Sequence, residues 1–196
     1  MNRREALKNT ALFMGYAVSA SSLATLMSGC QTEGPTTSEW KPEFLTADQY
    51  TTVSEMTETI LPRTQTPGAK DVGVAQFIDK LLKNCTEEKN RQAFTQGLDA
   101  FMAKCQKDNG KSFADSQAEK RNEIVGQLEA EMMALRSDPA RADDAPTPFY
   151  ETLKSLAMTG YFSSEKIGKE VLRYDPVPGP YQGCIPYKEG EHTWAF

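Results

Sequence analysis

Thr46-Ala47-Asp48-Gln49 begins the stretch of sequence that decides the fold, an amphipathic segment that ends at Pro62. A threonine followed three residues later by a glutamine has the form of a capping box, in which the two side chains satisfy free N–H groups at the start of a helix. The apolar residues that follow recur at helical spacing; they are Tyr50, Val53, Met56 and Ile60. The helix is expected to end at Pro62, because proline donates no backbone hydrogen bond and restricts the residue before it.

The same apolar spacing predicts further helices along the chain. They are expected at about 74–83, 87–107, 116–135 and 148–159, with a short helix at 165–172. Gly110 is expected to stop the third helix, as a C-terminal glycine does. On the fourth helix, Leu135 is expected on the buried stripe, and Glu129 and Glu131 are interpreted as solvated surface. No segment alternates with the period of a strand, so the sequence predicts an all-α fold, a single small domain of about five helices over residues 45–172.

The segment between the first two predicted helices, residues 63–73, is interpreted as a structural connection. Its Pro67-Gly68 pair suits a type II turn, in which the glycine has a positive φ. No side chain in the segment forms a catalytic set, and its glycines lack the spacing of a phosphate-binding loop.

Residues 173–196 are predicted to form an irregular, extended C-terminal tail rich in proline, glycine and tyrosine. The prolines and glycines forbid regular structure, whereas the tyrosines and Ile185 make the segment too apolar for a free coil. We expect it to lie in a groove, either of its own domain or of a partner, because tyrosine is common at interfaces. The residues expected to contact a partner are Tyr174, Pro176, Pro178, Tyr181 and Tyr187.

The N-terminal residues, 1–29, have the organisation of an export signal. Arg3 and Arg4 precede a weakly apolar run, a pattern that resembles the twin-arginine signal. Small residues directly before Cys30 resemble the bacterial lipobox, which predicts lipidation of Cys30 and a tether over residues 30–44. Two other interpretations stay open: a permanent membrane helix, and a cleaved signal that leaves Cys30 as an ordinary thiol. The expected location is the periplasmic side of a bacterial membrane.

The composition excludes some classes of partner and site. The chain has 196 residues and a formal net charge of -5, and it shows no basic patch, which argues against nucleic acid as a partner. It contains one histidine, His192, expected near a mobile C-terminus, so a histidine triad or a multi-histidine metal site is not expected. No Gly-x-Gly-x-x-Gly fingerprint and no Cys-x-x-Cys-His motif is present.

Several short motifs, in order, resemble the family named after subunit 3 of gluconate 2-dehydrogenase. The residues that carry the resemblance are Glu58-Thr59-Ile60-Leu61-Pro62, Thr66-Pro67-Gly68-Ala69, Val72-Gly73-Val74 with Phe77-Ile78, Gly160-Tyr161-Phe162, and Tyr174-Asp175-Pro176-Val177-Pro178-Gly179. The resemblance covers about Leu45 to Tyr181 and fits the twin-arginine start.

This resemblance implies a non-catalytic small subunit that carries the export signal for a large, flavin-dependent sugar or polyol dehydrogenase. No cofactor is then expected on this chain; FAD is expected on the partner, and a cytochrome c subunit often receives the electrons. Two alternatives from other classes stay open. One is a self-contained ligand-binding periplasmic lipoprotein with a pocket lined by Trp40 or Trp194, and the other is an enzyme whose carboxylates meet only in the fold.

Three cysteines remain once Cys30 is lipidated, an odd number for an oxidising compartment. Cys85 and Cys105 lie at opposite ends of the third predicted helix, which at a rise of about 1.5 Å per residue places them too far apart for a disulfide. Cys105 is expected to be a buried free thiol. Cys184 is predicted to be the thiol available for a bridge, either to Cys85 or to the large subunit.

Overall fold

The computed structural model describes residues 40–137, 147–177, 179–180, 183–184, 186 and 188–195. These residues form a small helical domain, which confirms the predicted all-α fold. The helices are α1 (Ala47–Ile60), α2 (Val74–Cys85), α3 (Glu88–Asn109), α4 (Ala118–Arg136), α5 (Phe149–Phe162) and α6 (Glu165–Glu170), with a 3-10 turn at Lys70–Val72. Within the described ranges there is no strand, only one isolated parallel bridge between Arg173 and Trp194. The predicted signal (1–29) and most of the predicted tether (30–44) lie outside the described residues.

The predicted start of α1 and end of α3 are confirmed. The Gln49 N–H donates to Thr46 Oγ1 at 3.3 Å, and the Thr46 N–H donates to Gln49 Oε1 at 3.0 Å, so both halves of the capping box are present. Gly110 follows α3 with a φ of 66°, as a left-handed C-terminal glycine does.

The centre of the domain is formed by α1 and α5, which pack against each other and against α2, α3 and α4. Their buried faces close a common apolar core. Its most completely buried side chains are Val53, Met56, Val74, Ile78, Leu82, Phe94, Leu98, Phe113, Leu153 and Ile167. Burial of each large apolar side chain contributes about 1.5–3 kcal/mol, so this core is the main stabilising feature. The prediction that Leu135 is buried was wrong: it is 44% exposed, in the last turn of α4.

Two helix glycines allow close packing of α5 on its neighbours. A Cβ on Gly97 of α3 would lie 2.7 Å from Phe149 Cβ, and a Cβ on Gly160 of α5 would lie 2.6 Å from Phe77 Cδ1. The predicted end of α5 near Thr159 was therefore too early. Gly160 continues the helix for a further turn because the absent side chain makes room for Phe77.

Candidate partner-binding surface

The connection between α1 and α2, here called the Glu58 loop (residues 61–73), is organised by the carboxylate of Glu58. One carboxylate oxygen accepts the Arg63 N–H at 3.1 Å, and the other accepts the Lys70 N–H at 2.8 Å. A carboxylate that accepts two backbone donors holds both ends of the loop at a defined separation, because charge-assisted hydrogen bonds are stronger than neutral ones.

Gly68 has a different role from the one predicted. Positive φ angles occur at Gly73, Gly110 and Gly190 among the described residues, and not at Gly68, so the type II turn was wrong. A Cβ on Gly68 would lie 2.7 Å from the Arg63 backbone nitrogen and closer still to the Glu58 carboxylate. Glycine is required here because the loop closes over Glu58, and not because of its backbone conformation.

The underside of the Glu58 loop is joined to the core. Ala69 is fully buried, and its N–H donates to the Leu61 carbonyl at 2.9 Å. The Tyr161 hydroxyl of α5 donates to the Pro67 carbonyl at 2.7 Å. These contacts support the interpretation of this segment as a structural connection.

A buried carboxylate fixes the segment that leads into α1. Asp79 of α2 is completely buried and accepts three successive backbone N–H groups, those of Glu43 at 2.7 Å, Phe44 at 3.1 Å and Leu45 at 2.8 Å. Such full hydrogen bonding is what allows a charge to lie in a core. The sequence analysis missed this role, although an aspartate within the apolar stripe of α2 was the signal for it.

Partly buried ion pairs join α4 to the rest of the domain. Glu55 of α1 pairs with Lys70, Nζ to Oε1 2.5 Å, and with Arg121 of α4. Glu129, interpreted from the sequence as solvated surface, instead accepts hydrogen bonds from Lys154 at 2.5 Å and from the Tyr150 hydroxyl at 3.1 Å.

The pKa values at the pair formed by Glu129 and Lys154 fit a structural role. The hydrogen bond from Lys154 holds the pKa of Glu129 below its ordinary range, against the smaller opposing effect of burial. Burial, followed by the neighbouring Glu129, raises the pKa of Tyr150, so its hydroxyl stays protonated as a donor. A low carboxylate pKa and a high phenol pKa stabilise the ion pair and do not suit a proton-transfer pair near neutral pH.

The cavities that border the described residues include the following three. One of about 230 Å³ lies between α3 and α4, one of about 460 Å³ lies beside α1 and α3, and one of about 380 Å³ lies between the α5–α6 junction and the tail. Cys105 lines the first, but burial raises the pKa of its thiol and so suppresses the nucleophilic thiolate. None of these three cavities has Trp40 or Trp194 in its wall.

Neither a metal-ligand cluster nor a membrane-spanning helix occurs within the described ranges. No three histidine, cysteine, aspartate or glutamate side chains come together there as metal ligands would. Among the helices of those ranges, none combines the length and the apolar character that a membrane span requires.

The end of the chain returns to the domain and pairs with Arg173. The Arg173 N–H donates to the Thr193 carbonyl at 2.8 Å, and the Ala195 N–H donates to the Arg173 carbonyl at 2.9 Å. The Arg173 guanidinium carbon lies 4.0 Å from the centre of the Trp194 ring, and His192 Nδ1 lies 2.7 Å from the Val171 carbonyl oxygen. We call this group of contacts the clasp. The sequence analysis expected a mobile end at His192, and the structure instead shows this end in contact with Val171 and Arg173.

The chain between the two sides of the clasp is here called the C-terminal loop (residues 174–191). Tyr174 and Val177 are 54% and 81% exposed. Its other described residues up to position 186 are also exposed: Asp175, Pro176, Gly179, Pro180, Gly183, Cys184 and Pro186. Of the predicted contact residues, Tyr174 and Pro176 are thus on the surface, whereas Pro178, Tyr181 and Tyr187 lie outside the described residues.

The remaining predicted site residues are spread along the chain. Cys85, at the end of α2, and Cys184 are exposed free thiols, and Cys105 is a buried one, as expected. The bridge from Cys184 stays a prediction. Arg3, Arg4 and Cys30 lie outside the described residues, so the structure does not bear on export or lipidation.

A comparison with protein-family models identifies a relationship for most of the folded part. The model described as gluconate 2-dehydrogenase subunit 3 matches residues 47–179, which include all six helices, the Glu58 loop and the beginning of the C-terminal loop. Searches for similar curated proteins and for similar solved structures found no match. The family match spans well over half of the chain, and the chain belongs to the gluconate 2-dehydrogenase subunit 3 family.

Proposed function

We propose that this chain is the non-catalytic small subunit of a membrane-associated, flavin-dependent sugar or polyol dehydrogenase. The observation that carries the proposal is the family match over residues 47–179, because the family is that of an accessory subunit of a dehydrogenase complex. In this proposal the large subunit holds FAD and performs the oxidation, and a cytochrome c subunit accepts the electrons.

The chemistry of the described side chains supports an accessory role. The partly or fully buried carboxylates of Glu58 and Asp79 accept backbone N–H groups, and that of Glu129 is paired with Lys154. The cysteine that lines a cavity has a raised thiol pKa. These carboxylates hold the fold together, and in this proposal the small subunit acts through its surface.

The N-terminal sequence supports a role in export. Arg3 and Arg4 would direct the folded complex through the twin-arginine path, and lipidated Cys30 would anchor it on the periplasmic side of the membrane. The small subunit would thereby deliver and stabilise a large subunit. Replacement of both arginines by lysine should leave the protein inside the cell, and Cys30→Ala should release it from the membrane fraction. Unchanged fractionation of either variant would contradict the corresponding claim.

The test of the main proposal is to isolate the tagged chain under native conditions from membranes of its source organism. We expect a second polypeptide in a fixed ratio, a flavin absorbance spectrum and dye-linked oxidation of a sugar or polyol. The chain expressed alone should be colourless and inactive. A flavin-containing, active preparation of the single chain, or a native preparation that contains no flavoprotein, would overturn the proposal.

A further inference from the structure

We propose that the C-terminal loop docks in an apolar, aromatic-lined groove of a partner protein, and that the clasp holds the loop in its docking conformation. This inference rests on the proposed function, because it takes the partner to be the flavoprotein subunit. Beyond the proposed function, it identifies the C-terminal loop as the surface that contacts the partner and the clasp as the group of contacts that orders this loop.

The loop has the composition of an interface centre. Between Asp175 and Lys188 the sequence contains no charged residue, although 25% of the whole chain is charged. The segment instead carries prolines, tyrosines, Val177 and Ile185. The centres of protein interfaces are depleted in charge and enriched in aromatic residues, whereas a segment that only meets water usually carries charges.

The described part of the loop is largely exposed. Tyr174 borders the 380 Å³ cavity at the α5–α6 junction but is still 54% exposed, and Val177 is 81% exposed, so both apolar side chains are available to a partner. The Asp175 carboxylate accepts the Val177 N–H at 3.1 Å, which fixes the start of the loop in a local turn. Alternating prolines favour an extended backbone without internal hydrogen bonds, the form that aromatic-lined grooves bind.

The clasp fixes the two ends of the loop before a partner binds. The last residues of a chain normally fray unless they are tied to the domain. Here two backbone hydrogen bonds, the Arg173–Trp194 stacking and the His192 contact meet at one point. The side chains of Arg173 and Glu191 also pair across the base at 3.8 Å. Both ends of the loop are thus fixed before binding, which lowers the entropy lost on association.

A protein groove fits this loop better than a lipid surface. The stretch from Pro176 to Tyr187 has no lysine or arginine, so it offers nothing to the anionic headgroups that attract peripheral proteins. Its prolines also prevent the amphipathic helix by which such segments lie in a membrane interface.

The experiment measures the affinity of the full chain for the co-expressed flavoprotein subunit. The loop variant is Tyr174→Ser with Val177→Ser, the clasp variant is Trp194→Ala, and the matched control is Met133→Ala, which removes an exposed apolar side chain of α4. We expect the loop variant to bind at least about tenfold more weakly. If the loop of the clasp variant is in the docking conformation about a tenth of the time, its affinity for the flavoprotein subunit should fall about tenfold. The control should stay within about twofold, and circular dichroism should show unchanged helix content in all three.

A second measurement tests the clasp without the partner. Trypsin should cut Trp194→Ala faster than wild type after Arg173, which precedes the loop, and after Lys188, which lies near its end, while cleavage elsewhere is unchanged. Equal rates would show that Trp194 does not hold the loop. Normal affinity of the clasp variant would likewise overturn the role given to the clasp.

The remaining outcomes separate this inference from the proposed function. Wild-type binding with an equally tight loop variant would overturn docking through the loop and leave the proposed function standing. Failure of the wild-type chain to bind any flavoprotein would overturn both the proposed function and the docking inference. The vesicle measurement uses the Cys30→Ala chain, which has no lipid anchor. Binding of that chain, but not of the same chain with the loop substitutions, to vesicles of phosphatidylcholine and phosphatidylglycerol would replace the protein groove by a lipid surface.

Discussion

The Glu58 loop and the C-terminal loop are both irregular and rich in proline and glycine, yet they satisfy their backbone groups differently. In the Glu58 loop, carboxylates of the chain itself accept backbone N–H groups, and the Tyr161 hydroxyl donates to the Pro67 carbonyl. In the C-terminal loop, the described backbone hydrogen bonds are those of the clasp, one local bond from the Val177 N–H to the Asp175 carboxylate and one from the Glu191 N–H to the Lys188 carbonyl. The described residues between them are exposed. The first loop is tied to the core through its buried Gly68 and Ala69, whereas the described residues of the second lie on the surface.

The two loops have a similar content of turn residues, and they differ in the position of the acidic side chains that can accept their backbone N–H groups. The Glu58 loop is preceded by Glu58 and contains Asp71, and both act as acceptors for it. The C-terminal loop has no charged residue between Asp175 and Lys188. A buried or crowded loop must pair its polar groups internally, whereas an exposed one can use water or a partner.

The largest effect is expected when the acceptor of the Glu58 loop is removed. Glu58→Ala removes the acceptor of the partly buried Lys70 N–H, at about 1–3 kcal/mol for a donor left unsatisfied, and that of the exposed Arg63 N–H, which can bond water instead, so we expect a loss of about 2.5 kcal/mol in the free energy of unfolding. Urea denaturation measures this loss. The control is Glu131→Ala, whose exposed, 3.7 Å ion pair with Lys104 should contribute less than about 0.5 kcal/mol. A similar small effect for both variants would show that Glu58 does not organise the loop.

Alanine at one glycine of each loop tests the comparison directly. Gly68→Ala places a Cβ 2.7 Å from the Arg63 nitrogen, and overpacking of this kind should cost about 2 kcal/mol. Gly179→Ala meets no atom within 4 Å and should change the free energy of unfolding by less than about 0.5 kcal/mol. Thermal or urea unfolding of the two variants compares them, and equal effects would contradict the distinction between the loops.

The features that could be predicted from the sequence are those that depend on residues close together in the chain. The capping box at Thr46, the stop at Gly110 and the apolar stripes that form the core follow from local rules, and the structure confirms them. The continuation of α5 through Gly160 was not predictable in this way. Glycine disfavours a helix by about 1 kcal/mol, and only the packing of Phe77 shows why it is present.

The organising polar contacts were missed because their partners are distant in the sequence. Asp79 accepts N–H groups from residues 43–45, and Trp194 reaches Arg173 across the whole C-terminal loop. Glu129 was interpreted as solvated because its neighbours on α4 are charged, but its partners lie on α5. Helical period identifies which face is apolar, and it does not identify which polar residue on the opposite face meets another helix.

A smaller, pH-dependent effect on stability is expected at the ion pair of Glu129 with Lys154, which lies outside both loops. Because Lys154 lowers the pKa of Glu129 in the folded state, the ionised carboxylate stabilises the fold above the ordinary value of 4.5, and this contribution is lost as the pH falls through the lowered folded value. The difference in urea midpoint between wild type and Glu129→Gln should therefore be largest near neutral pH and shrink below about pH 4. Glu131→Gln is the control, because Glu131 forms only an exposed, 3.7 Å ion pair with Lys104, which should contribute little at any pH. A difference in urea midpoint that stays constant with pH would show that the ionised Glu129 carboxylate does not stabilise the fold through its pair with Lys154.

The smallest effect on stability, and the sharpest test of exposure, concerns the thiol in the C-terminal loop. Cys184 and Cys85 are exposed, whereas Cys105 is buried, so oxidation should involve Cys184 and leave Cys105 reduced. Cys184→Ser should change the free energy of unfolding of the reduced chain by less than about 0.5 kcal/mol. Under oxidising conditions, non-reducing electrophoresis of the complex should show either a heavier band, for a bridge to the large subunit, or a faster monomer, for a bridge to Cys85. Cys184→Ser should abolish both, and Cys85→Ser only the second. A heavier band that persists in Cys184→Ser would show that the exposed loop does not supply the bridging thiol.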